Sequence, residues 1–262
     1  MKKILLILAL TLSVSAVNAW NNIPDEAIML VASKNLTKEG KELVTKYLGD
    51  SYADDVCYIA GLEKAKKSPF SKEVHYLHFD KNLKPAKVGG DDALAAIEKA
   101  LEVVRARKSH TDAEVTKALR IVIDLMCDIH IISNVRIEGV AHSQSDFSFQ
   151  WYNGDAGKRK TLSTIKWSKM WVGYPQWHNG FSPQLWCEDL EYSLGSKREE
   201  FAKGSLNDWA AQIGDNASKF YARINPEYVM TRRERNELED VNCEMMARAA
   251  YRLAALFNEL AK

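Results

Sequence analysis

The chain has 262 residues and a formal net charge of +1, with 36 basic against 35 acidic side chains. This balance excludes a general polyanion binder, whose basic excess is its electrostatic footprint, although it leaves a local basic patch open. The length suffices for one large hydrophobic core or two small ones. Because no Pro/Gly-rich linker and no internal repeat interrupts the chain, we predict a single domain over residues 20–262.

The first nineteen residues have the pattern of a secretory leader. Two lysines precede an apolar run from Ile4 to Val17, and Asn18 and Ala19 complete a small-residue cleavage site. The run is shorter than the roughly twenty residues that span a bilayer, and no longer run follows it. We therefore expect a signal peptide over residues 1–19, a periplasmic or secreted protein without a transmembrane segment, and a new α-amino group on Trp20.

Helical periodicity dominates the rest of the chain. We predict helices from Thr37 to about Leu48 and from Asp92 to Arg107. Thr111-Asp112-Ala113-Glu114 has the pattern of a capping box and begins a helix that runs past Asp128. The predicted fold is all-α, with several packed helices and one small β-hairpin.

That third helix carries the most informative residues of the sequence. Asp124 and Asp128 are four residues apart, so both carboxylates lie on one face of the helix, among apolar neighbours. A buried carboxylate pair is costly unless it is paired, hydrogen-bonded or bound to a cation. The alternative interpretation is that both acids face water or pair with basic side chains.

The β-hairpin is predicted from Asp146 to Tyr152, where aromatic residues alternate before an Asn-Gly turn. Aromatic and basic residues then interleave from Lys158 to Trp186. Two interpretations remain open for this segment: a surface that stacks the bases of a single strand, or an aromatic mini-core under a long loop.

Two further helices end the chain, from Ser205 to Ile224 and from about Arg233 to Leu260. The last carries an apolar stripe that indicates core packing, and Met245 and Met246 are interpreted as core filling.

Four cysteines leave the redox state open: Cys57, Cys127, Cys187 and Cys243. An exported protein can oxidise them, and four cysteines allow three pairings. Their spacing lacks the close pairs of a zinc ribbon. Buried thiols are the alternative to disulfides.

Several segments together resemble the nuclease S-one/P-one family, exported zinc nucleases of single-stranded nucleic acids and 3′-nucleotides that are related to bacterial zinc phospholipases C. Family members begin at a Trp exposed by leader cleavage, which Trp20 matches. Their His-aromatic-aliphatic segment matches Val74-His75-Tyr76-Leu77, and their His-x-x-x-Asp-Met-x-x-Pro-x-His helix matches the frame of Asp124 to Asn134. The closing segment Ala250 to Leu260 is also similar. The resemblance covers nearly all of residues 20–262 and implies the phospholipase C/nuclease-like helical fold.

The resemblance also implies a set of metal ligands. Trp20 would supply its amine and carbonyl, His75 an imidazole, and Asp128 the carboxylate that bridges two of three zinc ions and serves the catalytic centre. Two further positions are changed, since Asp25 and Asp124 stand where the family has histidines. No residue of this sequence clearly corresponds to the family's first aspartate; Asp54, Asp55 and Cys57 lie near the expected position.

The third zinc site has lost its side chains. Asn134 replaces the last histidine of the helix motif, and Ile132 replaces its proline. In the segment Thr161–Trp167, one register places Ser163 and Trp167 at the ligand positions and the other places Thr164 and Ser168 there. His78 and His130 are interpreted as ordinary surface or packing histidines.

The remaining donors are mostly oxygens. Zinc is the cofactor by resemblance, but an oxygen-rich set with one imidazole suits Mn²⁺, Mg²⁺ or Ca²⁺ better, and a protein without metal stays open.

Three functions compete: a degenerate family member that binds a nucleotide, nucleic acid or exported protein; a metal-dependent phosphodiesterase or endonuclease with a reduced site; and a phospholipase-like esterase. The ligand losses favour the first.

Overall fold

The computed structural model describes residues 22–50, 75–86, 92–153, 161–172 and 182–262. Helices make up most of this part of the chain and its sheets are small, which confirms the predicted helical fold with a small β element. The predicted leader lies outside the described residues. The helices are α1 Asn22–Lys34, α2 Lys38–Leu48, α3 Ala93–Arg105, α4 Asp112–Ile129, α5 Trp167–Val172, α6 Pro183–Leu194, α7 Arg198–Ala202, α8 Leu206–Tyr221 and α9 Arg232–Leu260. The strands are β1 Leu77–Phe79, β2 Val135–Ile137, β3 Ser148–Asn153, β4 Thr161–Lys166 and β5 Val229–Met230.

Capping residues determine where the long helices begin. Thr111, Ser205 and Thr231 each accept a hydrogen bond from the backbone N–H three residues later. The side chain of the acid at that later position accepts a hydrogen bond from the backbone N–H of the capping residue. Each cap contributes about 1 kcal/mol to helix stability. The predicted capping box at Thr111 is confirmed, and α4, α8 and α9 begin and end close to their predicted bounds.

The last helix, α9, lies at the centre of the core. It packs against α1, α2, α4, α6 and α7, while α3 packs along α4. Its predicted apolar stripe is buried, and Met245 and Met246 are fully buried among these residues, which confirms core filling. None of the helices in the described part of the chain has the length and apolar character to cross a bilayer.

The larger sheet has the strand order β4-β3-β5. β3 and β4 are antiparallel, with Phe149 opposite Ile165 and Asn153 opposite Thr161, which confirms the predicted hairpin. Its turn, residues 154–160, lies outside the described residues. β5 joins β3 in parallel and was not predicted.

Aromatic side chains form a cluster between this sheet and α8. Trp167 stacks on Phe147 at a centroid distance of 5.7 Å and meets Trp171 edge-on at 5.4 Å. Trp167, Trp171 and the more distant Trp186 of α6 are fully buried. The mini-core interpretation is therefore correct for these three tryptophans, because a buried ring offers no face to a base. Tyr174, Trp177 and Phe181 lie outside the described residues.

A second, smaller sheet was missed by the sequence analysis. β1 and β2 pair in parallel, with Leu77 opposite Val135 and Phe79 opposite Ile137. Phe79 packs directly on Gly214 of α8, where an added Cβ would lie 2.7 Å from the ring. This close approach anchors β1 and β2 beside the C-terminal end of α4.

Candidate metal centre

The C-terminal turns of α4 carry the two acids that the sequence placed on one helix face. Asp124 and Asp128 are one turn apart, and both are buried, with 7 % and 0 % of their surface exposed. The interpretation that these acids face water is therefore wrong. Apolar residues of α4 and the core surround them, so each charge needs a compensating partner.

A histidine from a distant segment completes the group. His75 lies two residues before β1, and the parallel pairing of β1 with β2 brings it to the end of α4. In the described part of the chain, His75, Asp124 and Asp128 each offer one ligand atom, and these atoms all lie within 4.8 Å of one another. His75, Asp124 and Asp128 are three of the five residues that the sequence analysis gave as metal ligands, and the group could hold a metal ion.

Hydrogen bonds fix the carboxylate of Asp128 on both sides. Its Oδ2 contacts Nδ1 of His75, and its Oδ1 accepts a hydrogen bond of 3.5 Å from Nδ2 of Asn134. The same amide donates to the backbone oxygen of Asp128 at 3.2 Å. Asn134 reaches back because the chain reverses in the 3₁₀ turn Ile132–Asn134. Asn134, which stands where the resemblance expects a histidine, thus orients the central acid.

The electrostatics of the site reflect the burial of several acids. Burial raises the pKa of Asp128, and the charge and hydrogen bond of His75 oppose this rise. Burial also raises the pKa of the Cys127 thiol far above its ordinary range, and the charges of Asp25, Asp124 and Asp128 raise it further. The thiol is therefore protonated at neutral pH.

Asp25 borders the group through this thiol. Its side chain is 1 % exposed on α1 and takes a hydrogen bond from Cys127, which raises the pKa of that thiol. Asp25 does not belong to the set of atoms within 4.8 Å. The predicted ligand Trp20 and the neighbouring candidates Asp54 and Asp55 lie outside the described residues.

The two spare histidines have other roles. His130 is fully buried; its Nδ1 lies 2.7 Å from the backbone oxygen of Met126, and its Nε2 lies 2.8 Å from Nη1 of Arg252. Because a guanidinium only donates, Nε2 is the acceptor, and His130 is a neutral packing residue. His78 is half-buried on β1, next to Arg136 of β2.

Thr164 and Ser168, which one register places where the resemblance expects ligands of a third zinc ion, do not belong to the group of His75, Asp124 and Asp128. Thr164 is exposed on β4, and Ser168 donates from its hydroxyl to Asp146 at 2.8 Å. Cys127, Cys187 and Cys243 are unbridged thiols. Cys127 was not predicted to border the acids, although its place beside Asp128 in the sequence put it within reach of the site.

No protein-family model and no curated protein matches the chain. The site must therefore be interpreted from its own chemistry. One imidazole nitrogen and two carboxylate oxygens are donors that Zn²⁺, Mn²⁺, Mg²⁺ and Ca²⁺ accept in differing proportions. Their mutual separations fit a single ion, since ligands on opposite sides of one ion are about 4–5 Å apart. The donor set thus fits a metal.

Proposed function

We propose that the protein is a metal-dependent hydrolase of phosphodiester bonds, acting on single-stranded nucleic acids or nucleotides. The observation that carries this proposal is the buried convergence of His75, Asp124 and Asp128. Asp128 is held from two sides by His75 and Asn134, which is typical of a preorganised ligand. The substrate class comes from the resemblance to the nuclease S-one/P-one family.

The donor chemistry favours Mn²⁺, Mg²⁺ or Ca²⁺ over zinc at this centre. His75, Asp124 and Asp128 offer two oxygens for each nitrogen, which is the balance that hard divalent cations prefer. A bound ion of this kind polarises a phosphoryl oxygen and lowers the pKa of a coordinated water. The three side chains would hold the ion, and Asn134 would keep the carboxylate of Asp128 in its binding orientation.

A second function, binding without catalysis, is favoured by the position of Asn134. An amide there donates to Asp128 at 3.5 Å, whereas the resemblance expects an imidazole ligand for a further zinc ion. A chain that holds a single ion, or none, would keep a cleft for a nucleotide or an exported partner. Hydrolysis assays separate the two functions.

The test combines metal content with activity. Elemental mass spectrometry of the purified protein should find about one divalent ion per chain after incubation with manganese, and Asp128→Asn should remove it. A single-stranded DNA oligonucleotide should be cleaved by the wild-type protein, lose cleavage on chelation and regain it with Mn²⁺. Asp215→Asn is the matched control, because Asp215 is an exposed acid paired with Lys219.

Two outcomes would contradict the proposal. A protein that holds no metal after exposure to manganese and zinc has no metal centre. A protein that holds the ion but cleaves neither the oligonucleotide nor bis(p-nitrophenyl) phosphate is a binding protein, the second function.

A further inference from the structure

The outward face of β1 and β2, the strands that follow His75 and Asn134 in the chain, carries a group of polar side chains. The parallel register sets His78 opposite Arg136, while Leu77 and Val135 point into the core. Alternation along β1 puts Tyr76 on the same outward face as His78. One cation, one imidazole and one phenol therefore share this face.

The guanidinium of Arg136 is fixed against the ring of Tyr76. Its central carbon lies 4.0 Å from the ring centroid, and its Nη1 donates to the backbone oxygens of Ser133 at 2.7 Å and Val135 at 3.3 Å. These contacts turn the side chain back along β2, toward the turn that precedes the strand. The stacked, planar arrangement is one that lysine cannot reproduce.

Both supports of this guanidinium are joined directly to residues of the metal centre. Tyr76 follows the ligand His75 in the chain, and Ser133 precedes Asn134, whose amide bonds Asp128. The guanidinium of Arg136 is therefore held by the same two segments that carry His75 and Asn134.

Its charge has no acidic partner in the described part of the chain: Arg136 contacts two backbone oxygens, the ring of Tyr76 and the hydroxyl of Tyr221. Arg223 provides the contrast. It also lies over a ring, that of Phe220 at 5.1 Å, but its Nη1 pairs with Glu237 at 3.6 Å. An ordered guanidinium without a carboxylate is suited to bind an external anion.

We propose that Arg136 binds the phosphate group of the ligand that occupies the metal centre, and so selects for phosphate esters. This inference rests on the proposed function, because it places the anion beside the ion held by His75, Asp124 and Asp128. The guanidinium would donate charge-assisted hydrogen bonds to phosphate oxygens, while Tyr76 and the two backbone oxygens keep it in place.

The test measures phenyl phosphate binding by isothermal titration calorimetry, with and without Mn²⁺. Arg136→Gln should weaken binding by about tenfold to a hundredfold, the usual effect of losing hydrogen bonds to a charged group. Arg136→Lys should weaken it less, because the charge remains but the planar fork is lost. Arg223→Gln, which removes a guanidinium over a ring elsewhere, should leave it unchanged. Mn²⁺ affinity should be the same in all four proteins, which a general loss of structure would not allow.

Each result decides the inference separately from the proposed function. Unchanged phenyl phosphate affinity in Arg136→Gln overturns the role of Arg136 while a normal Mn²⁺ titration leaves the metal centre standing. If the wild-type protein binds no Mn²⁺, the proposed function fails, and an arginine-dependent affinity in the metal-free titration still supports the anion site. Absence of binding in both titrations overturns the inference. If Arg136→Gln does not fold, equal affinity of Arg136→Lys and wild type overturns it.

Discussion

Two buried clusters are hydrogen-bonded to the turn at residues 132–135, and they differ in how their polar atoms are satisfied. In the aromatic cluster, Nε1 of Trp167 donates to the Tyr221 hydroxyl at 3.2 Å, and that hydroxyl donates to the backbone oxygen of Val135 at 3.1 Å. In the other cluster, ligand atoms of Asp124, Asp128 and His75 lie within 4.8 Å of one another. The aromatic cluster is neutral, whereas the acidic cluster concentrates charge in the core.

The difference indicates what each cluster is for. Burial of an aromatic side chain stabilises the fold by roughly 25 cal/mol for each Å² removed from water. Burial of a carboxylate costs free energy, which a protein tolerates where binding requires it. The aromatic cluster also supports the acidic one, since Tyr221 bonds the turn from which Asn134 reaches Asp128. Stability and binding should therefore respond differently to substitutions on the two sides.

The largest expected effect is on the aromatic side. Trp167→Ala should lower the free energy of unfolding by about 3–5 kcal/mol, because it leaves a large cavity and removes the hydrogen bond to Tyr221. Urea denaturation measures this loss. Tyr192→Ala is the control, since Tyr192 is 93 % exposed and its removal should change stability by less than about 0.5 kcal/mol. Similar midpoints for the two variants would show that the aromatic cluster is not a core.

The second effect is also on stability, but substitution of the buried acid should not lower it. In metal-free protein at pH 7, Asp128→Asn should keep or raise stability, because it removes a fully buried charge and keeps the side-chain shape. Burial raises the pKa of Asp128, so the folded state favours its protonated form. The wild type should therefore lose stability relative to Asp128→Asn as pH rises from about 4, the ordinary carboxyl pKa, through the raised value.

Added metal should reverse this order. Mn²⁺ at a hundredfold excess over its dissociation constant should stabilise the wild type by about 2.7 kcal/mol and leave Asp128→Asn unchanged. Thermal unfolding with and without Mn²⁺ measures both responses. Asp215→Asn should behave as the wild type, because Asp215 is exposed. A metal-free Asp128→Asn protein that unfolds as readily as Trp167→Ala would assign Asp128 to the stability of the fold.

A smaller effect is expected for the residue that connects the two clusters. Asn134→Ala removes the amide that donates to Asp128, and should weaken Mn²⁺ binding about 10- to 100-fold, as the loss of an outer-shell partner does. Isothermal titration calorimetry measures the affinity. Gln144→Ala is the comparison, because Gln144 bonds the backbone of β2 away from the acids. Equal Mn²⁺ affinities for both variants would assign Asn134 to the turn alone.

The sequence predicted the parts of the molecule that local patterns determine. Capping at Thr111 and the apolar spacing of α4 located the helix, and the four-residue separation placed Asp124 and Asp128 on one face. The hairpin strand β3 followed from its alternation. These features depend on contacts between residues that are close in the sequence, so periodicity contains them.

The rest depended on contacts between distant segments. β1 and β2 are three residues each, too short for alternation to identify, and their pairing alone brings His75 to Asp128 across 53 positions. The resemblance, not the spacing, pointed to His75. The hydrogen bond of Asn134 and the placement of Arg136 also follow from the turn and the parallel register, which no local pattern encodes.

The smallest expected effect is on the pKa of His78, which depends on the charges near it on the β1–β2 face. Burial lowers the pKa of His78 below 6.5, Arg136 lowers it further, and Asp92 opposes this. An NMR titration of the His78 ring should therefore have its midpoint below 6.5, and Arg136→Gln should move it upward. Asp92→Asn, which keeps the helix cap, should move it downward. Because the neutral form is favoured in the folded state, the stability linked to His78 is present above pH 6.5 and declines as pH falls below it. Arg223→Gln should leave the midpoint unchanged. If neither Arg136→Gln nor Asp92→Asn moved the midpoint, the charge of Arg136 would lie too far from His78 to act on it. The arginine could not then present its charge on that face.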